Sequence, residues 1–282
     1  MPVSSGSRRL LVQGCGDGPP ADRRFWAGLV VSRVRGGVRR RAQGAGAQYR
    51  LVFVDRLIVT LIHLRHDLPH AVLVLFNVDR PTVTRAVGEI RRLLAERGFA
   101  VPDRPGLRLR TLEDVFAYAQ AEGVELRLDA TEIPGPTAGR GGRRAFVSGK
   151  KKQNTMKATV IADHQGRTLW ADGLRPGRMD DATAVRAAGI TGCFQHFDPV
   201  EVLLDDGYLS LSRDHPGRAL TPSRKPRSGA LPGRVEQWER DRHSHSSDRI
   251  TVEHALADHR RWKQLMRWTH RRDRAAPDDR RW

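Results

Sequence analysis

Cysteine is nearly missing from this chain: Cys15 and Cys193 stand alone among 282 residues. Two such isolated thiols support neither a disulfide framework nor a thiolate zinc site, and they point to a reducing cytoplasm. Long apolar runs are lacking too. None approaches the ~20 residues of a bilayer span, so no membrane association is expected. The arginine-bearing N-terminus has no clean hydrophobic core or cleavage site, which speaks against a signal peptide. The histidines lack the i, i+4 spacing of a helical zinc site. His243 and His245 are two apart, His254 and His259 five apart, and all four read as surface residues. Acidic residues are the last shortage: 32 Asp and Glu stand against 50 Lys and Arg, a formal charge of +18, with a pI near 11.2. That imbalance favours a polyanionic partner, and nucleic acid is the commonest one for a soluble chain of this kind.

What is present divides into five stretches. Residues 1–45 carry nine arginines against Asp17 and Asp22, among many glycines, the composition of a flexible basic tail. Residues 46–98 are expected to be all-helical. Leu51, Val54, Leu57, Ile58, Leu61 and Ile62 recur at three and four residues in a first helix, and a short second helix fits Pro69 to Phe76. Asn77-Val78-Asp79 makes a break, because Asn tolerates the left-handed conformation and Asp79 suits a cap. A third helix over Arg80 to Arg97 places Val83, Val87, Ile90 and Leu94 inward and stops at Gly98.

Residues 99–123 read as a linker, marked by Pro102, Pro105 and Gly106, and a connecting helix capped by Thr111 with Asp114 three residues on. Residues 124–272 alternate strand and helix patterns. Val124 to Ile133 has the period of two that marks a strand; strands are also expected at 158–162, 167–174 and 200–205. Helices are expected at 180–188 and from about Ser247 to Arg271, with loops at 135–142 and 218–235. Residues 273–282 form a short polar end.

Two helices joined by a three-residue turn, the second showing Thr and Arg outward, match the arrangement that lays a helix in the major groove of double-stranded DNA. The outward residues are Arg80, Thr82, Thr84, Arg85, Arg91 and Arg92. Plain three-helix packing with a solvated basic face is the alternative, and the chain's charge favours DNA.

Three acids stand on elements expected to be regular: Asp129 on the first strand, Asp205 after another, and Glu253 on the last helix. Divalent magnesium takes hard oxygen ligands, usually one or two carboxylates with water and substrate phosphate. Two such ions about 3.5–4 Å apart activate the attacking oxygen and stabilise the leaving oxygen at a phosphodiester. Taken singly, each acid is more often a surface carboxylate, and Asp198, Glu201 or Asp206 fits the spacing as well.

From about Tyr49 to Arg271 the chain resembles bacterial insertion-sequence transposases of the DDE superfamily, which join a helix-turn-helix to an RNase H-like nuclease domain. The resemblance rests on Leu128-Asp129-Ala130-Thr131, on Leu204-Asp205-Asp206-Gly207-Tyr208, and on Arg249-Ile250-Thr251-Val252-Glu253-His254 with the following Trp262. Ser148-Gly149-Lys150-Lys151-Lys152 and Thr221 to Pro226 are also similar to the group. It implies an α/β fold, an RNase H-like mixed sheet flanked by helices and preceded by an all-α domain. It further implies Asp129, Asp205 and Glu253 as catalytic and metal-binding residues for Mg²⁺ or Mn²⁺, with hydrolysis at transposon ends and strand transfer into target DNA. A homo-oligomer on DNA and a nucleoid-associated cytoplasmic location follow from the same likeness. Lys150, Lys151, Lys152 and Lys157 then become phosphate contacts, and Arg249 either orients Glu253 or meets phosphate. The chain departs from the family in carrying Asp180-Asp181 where a His-Asp pair is usual, and Asp206 where a basic residue is common. A decayed copy, or a DNA-binding regulator without nuclease activity, is the alternative reading.

Overall fold

Alternation of apolar side chains along Leu126-Arg127-Leu128 sends two leucines to one side of a strand and the arginine to the other, and the domain is layered about that strand. The computed structural model describes residues 51–101, 104–135 and 143–267. The basic tail of residues 1–45, most of the 135–142 loop and the polar end after residue 272 lie outside the described residues. From Val54 onward the described residues form one compact unit.

The helical region begins with α1 (Phe53–His66), continues through a short 3₁₀ turn (Val72–Phe76), and ends in α2 (Arg80–Arg97). Asn77 takes the left-handed conformation at φ 56°, and Asp79 sits at the N-cap of α2 with Pro81 in its first turn. Both follow the local chemistry that the sequence offers at the break. Val83, Val87 and Ile90 are buried as expected. The inward face of α1 differs from its apolar stripe: Val54, Ile58 and Leu61 are exposed, whereas Arg56, Val59 and Thr60 are buried. The reason is a buried ion pair, Arg56 Nη1 to Glu89 Oε2 of α2 at 2.8 Å, which turns the helix so that its charged residue faces inward. Thr60 adds to this face by donating to the Arg56 carbonyl at 2.7 Å.

The stretch expected to be a linker is instead a hairpin. Strand β1 (Phe99–Val101) pairs antiparallel with β2 (Arg104–Leu109), and Val101 and Leu109 enter the main core. Pro105 and Gly106 fit in β2 because a short two-stranded hairpin tolerates a proline that a central strand would not; Pro102 lies outside the described residues. Helix α3 (Leu112–Glu122) opens with a full capping box between Thr111 and Asp114 and closes at Gly123, φ 63°, as its sequence predicts.

The main sheet contains β3 (Leu126–Pro134), β4 (Thr155–Ala162), β5 (Thr168–Ala171), β6 (Arg175–Pro176), β7 (Val202–Leu203) and β8 (Ala219–Leu220). Its order is β5-β4-β3-β7-β8, with β6 also on β4. β3 runs antiparallel to β4 and parallel to β7, and β7 parallel to β8. This is the RNase H-like mixed sheet, with β3 at its centre. On one face Leu126, Leu128, Ile161 and Leu169 pack against Phe116 of α3 and Phe194 of α6 (Ile190–His196). Helix α5 (Asp181–Ala187) and α7 (Leu209–Asp214) complete that layer through Val185 and Leu211; α4 is the single turn Arg143–Phe146. On the other face lies α8 (Pro232–Arg260), where Val252 and Ala255 meet Ala162 of β4. Helix α8 starts fifteen residues before the expected Ser247, in the stretch expected to be a loop. Residues 232–246 show no apolar stripe, so periodicity carries no sign of them.

Two of the four histidines differ from the surface reading. His245 Nε2 lies 2.7 Å from the Leu204 carbonyl. His259 Nε2 lies 2.8 Å from the Thr168 hydroxyl, and its burial lowers its pKa. Cys193 is buried in α6, where burial pushes its thiol up to about 11, a structural rather than reactive cysteine.

Candidate active site

Strand β3 delivers Asp129 because the pleat that buries Leu126 and Leu128 on one side turns Arg127 and Asp129 to the side of α8. Arg127 is buried there and donates through Nε to the Asp248 carbonyl at 2.7 Å. That bond ties the middle of α8 to β3. The next residue of the helix, Arg249, then reaches Asp129, Nη2 to Oδ2 at 3.5 Å. Asp129 also accepts from the Ala130 N–H at 2.7 Å. Its side chain is only 20% exposed. Burial pushes its pKa up to about 6; the Ala130 N–H and Arg249 oppose the rise, while Asp205 and Asp181 add to it.

Asp205 follows β7, the strand that lies beside β3, so sheet pairing carries it to the same edge. Its Oδ1 accepts from the Gly207 N–H at 2.8 Å and caps a 3₁₀ turn, Asp206–Tyr208. Gly207 leaves room between two carboxylates. A Cβ there would stand 2.9 Å from Asp205 Oδ1 and 3.2 Å from Asp181 Oδ2. The turn drives Tyr208 inward until it is fully buried, with its hydroxyl unpartnered. Burial, followed by the carboxylates of Asp181, Asp129 and Asp205, raises the pKa of that hydroxyl. Asp206 turns away: it is exposed and pairs with Arg242 of α8 at 2.6 Å. The extra negative charge beside Asp205 is thereby answered by a cation from the helix.

Glu253 lies one helical turn beyond Arg249, on the same side of α8, and is exposed. Arg249 pairs with Asp129 rather than orienting Glu253. Among the described residues, no three His, Cys, Asp or Glu side chains stand close enough to enclose an ion as they are. The donor chemistry nevertheless suits a hard divalent cation: an Asp129 carboxylate whose proton affinity is raised in part by Asp205 and Asp181, and a buried Tyr208 hydroxyl without a hydrogen-bond partner.

The lysines divide. Lys150 is 82% exposed on its side chain and 3.9 Å from Asp181 Oδ2. Lys151 Nζ donates to the Glu132 carbonyl at 2.9 Å, and Lys152 is exposed at the turn with φ 54°. Lys157, expected among the phosphate contacts, is buried in β4; its ammonium donates to the Met179 carbonyl at 2.6 Å and to Asp181 Oδ1. It is an internal counter-charge, because all eight positions of β4 are covered on both faces. On α2, Arg80, Thr84, Arg85 and Arg92 are exposed and Thr82 and Arg91 half-buried. Arg85 is braced by Thr82 at 3.1 Å.

Asp181, Tyr208 and Arg127 are the residues that pattern reading passes over. In the sequence Asp180-Asp181 stands out only as a departure from the family's His-Asp pair, and the structure separates the two: Asp180 accepts from the Thr183 N–H at 2.8 Å, and Asp181 faces Asp205 across Gly207.

One strand carries an aspartate, its parallel neighbour leads into a second, and a helix lies across them, an arrangement that suits phosphodiester chemistry. The family comparison agrees. Residues 128–277, more than half of the chain, match the DDE superfamily endonuclease model, and residues 49–100 match the helix-turn-helix of DDE superfamily endonuclease. The chain belongs to the DDE superfamily of endonucleases, whose members in general depend on a divalent metal. It is similar to a probable transposase for insertion sequence element IS702 from Microchaete diplosiphon. The two are 21% identical over 211 residues, 74% of this chain and 70% of that protein. No solved structure matches. No helix among the described residues is long and apolar enough to cross a membrane.

Proposed function

We propose that this DDE endonuclease works as a DNA transposase on double-stranded transposon ends, with Asp129, Asp205 and Glu253 holding Mg²⁺ or Mn²⁺. The observation that carries this reading is the parallel pairing of Arg127 with Leu203, which brings Asp129 and Asp205, each two residues further on, side by side at the same end of neighbouring strands. Glu253 extends from the turn of α8 after Arg249, which touches Asp129. When bound, the metal supplies activation of the attacking oxygen and charge stabilisation at the leaving oxygen.

In the first reaction a water oxygen forms a bond to phosphorus at the transposon end, and the bond to the 3′ oxygen breaks. That oxygen takes a proton and leaves as a 3′ hydroxyl. In the second, the freed 3′ hydroxyl attacks a target phosphodiester and displaces a target 3′ oxygen, so the number of phosphodiester bonds is unchanged. The chain's own contribution is positioning and charge. Arg249, 11% exposed, pairs with the Asp129 carboxylate at 3.5 Å and lends it a positive neighbour. Lys150, Lys151 and Lys152 line the turn beside the site and suit backbone phosphates, and α2 offers Arg80, Thr82, Thr84, Arg85, Arg91 and Arg92 to the duplex. A homo-oligomer assembled on DNA at the nucleoid completes the proposal, since two transposon ends need two sites.

Nicking of supercoiled plasmid tests the reading. The intact protein is expected to nick in Mg²⁺ or Mn²⁺ and not in EDTA, and Asp129→Ala or Asp205→Ala to lower the rate by at least a hundredfold. Duplex binding by the intact protein with no cleavage in either metal would replace the transposase with a DNA-binding regulator.

A further inference from the structure

The site holds more acid than the three residues assigned above. We propose that Asp181 is a further metal-facing carboxylate of this site, with the buried Lys157 as its resident counter-ion; the inference rests on the metal-dependent reading above. Asp181 begins α5, whose cap is already supplied by Asp180, so its carboxylate has no helix-capping task. It points instead across the Gly207 turn toward Asp205. One point in space, where Gly207 lacks a Cβ, is 2.9 Å from Asp205 Oδ1 and 3.2 Å from Asp181 Oδ2. Those two oxygens are therefore about 6 Å apart at most, within the span of two ions about 3.5–4 Å apart with ligand oxygens at about 2.0–2.1 Å.

Tyr208 provides the second, independent observation. Its hydroxyl is fully buried, has no hydrogen-bond partner, and is close enough to the carboxylates of Asp181, Asp129 and Asp205 for their charge to act on it. Burying a hydroxyl unpaired is unfavourable. A cation with its bound waters at the acids gives that hydroxyl a polar neighbour.

The competing account makes Asp181 merely the partner that allows Lys157 to be buried. The two accounts predict opposite effects from the two ends of the pair. If Asp181 serves only Lys157, removing either residue breaks the same ion pair with the same result. If Asp181 is a ligand, removing its counter-ion leaves it freer for metal.

Electron paramagnetic resonance of free Mn²⁺, titrated into the full chain, distinguishes them. We expect Asp181→Asn to weaken Mn²⁺ binding at least tenfold, and Lys157→Met to leave it unchanged or tighter. The pair Asp181→Asn/Lys157→Met, which removes both charges together and restores balance, is expected to melt near the wild-type temperature and still bind Mn²⁺ at least tenfold more weakly. Equal weakening by Asp181→Asn and Lys157→Met, or wild-type binding by the double variant, overturns the proposal. Asp129→Asn separates this from the underlying reading. If it abolishes Mn²⁺ binding while the double variant binds normally, only the role of Asp181 fails. If the wild-type chain takes up no Mn²⁺, both fail.

Discussion

Asp129 is held in its site against the preference of its own charge. A carboxyl pushed up to about 6 from an ordinary 3.8 binds its proton more tightly in the folded chain than in the unfolded one. Between those two values the folded state carries more protons, so its stability falls as pH rises through the window and stays lowered above it. A shift of about two units corresponds to roughly 3 kcal/mol, the scale on which functional sites trade stability for chemistry. Asp129→Asn, which mimics the protonated form, is therefore expected to raise the melting temperature of the metal-free protein at pH 8. That gain should shrink below pH 6 and nearly vanish at pH 4. Melting curves in EDTA across this range check the point, and a gain independent of pH would contradict it. Gly207 and Arg242 belong to the same scale. One makes room for two carboxylates, and the other answers the charge of Asp206.

Elements differ in how plainly the sequence announces them. Helix α2 is legible to the residue at both ends, because Asp79, Pro81 and Gly98 are local signals and its apolar stripe faces a core. The capping box of α3 and the alternation of β3 are legible for the same reason. Helix α1 is legible as a helix but its buried face is not, since nothing local shows that Arg56 has a partner 33 residues away in Glu89. The first half of α8 and the two-residue strands β6 and β8 are hidden. A polar helix without a stripe, and strands that owe their pairing to neighbours distant in sequence, leave no periodic trace. The site follows the same rule. Asp129 and Asp205 stand on legible strands or at their ends, while Asp181 becomes visible only when the Gly207 turn is brought against it. For α2 itself, the exposed arginines lead to a test of their own. Replacing Arg85 and Arg92 with Ala should weaken duplex binding by about tenfold or more and lower the slope of log affinity against log salt by roughly one for each phosphate no longer neutralised. Unchanged affinity at fixed salt in a filter-binding or anisotropy titration would remove α2 from the DNA interface.

At the scale of the whole molecule, a charge of +18 coexists with a local concentration of acid at one sheet edge. The two features answer different demands. A basic excess draws in a polyanion over distance, and in the proposed mechanism the acids take up the divalent cations that let phosphates approach. Arg127 links these scales: a single bond to the Asp248 carbonyl seats α8 on β3 and so sets where Arg249 and Glu253 stand. The central claim is that Asp129, Asp205 and Glu253 converge on one metal-holding edge. Iron-mediated self-cleavage measures this directly: Fe²⁺ and ascorbate with the full chain, and mass spectrometry of the fragments. Cuts close to residues 129, 205 and 253, all suppressed by excess Mg²⁺, are the predicted result. Cuts near 129 and 205 with none near 253, or cuts that Mg²⁺ does not suppress, would contradict it.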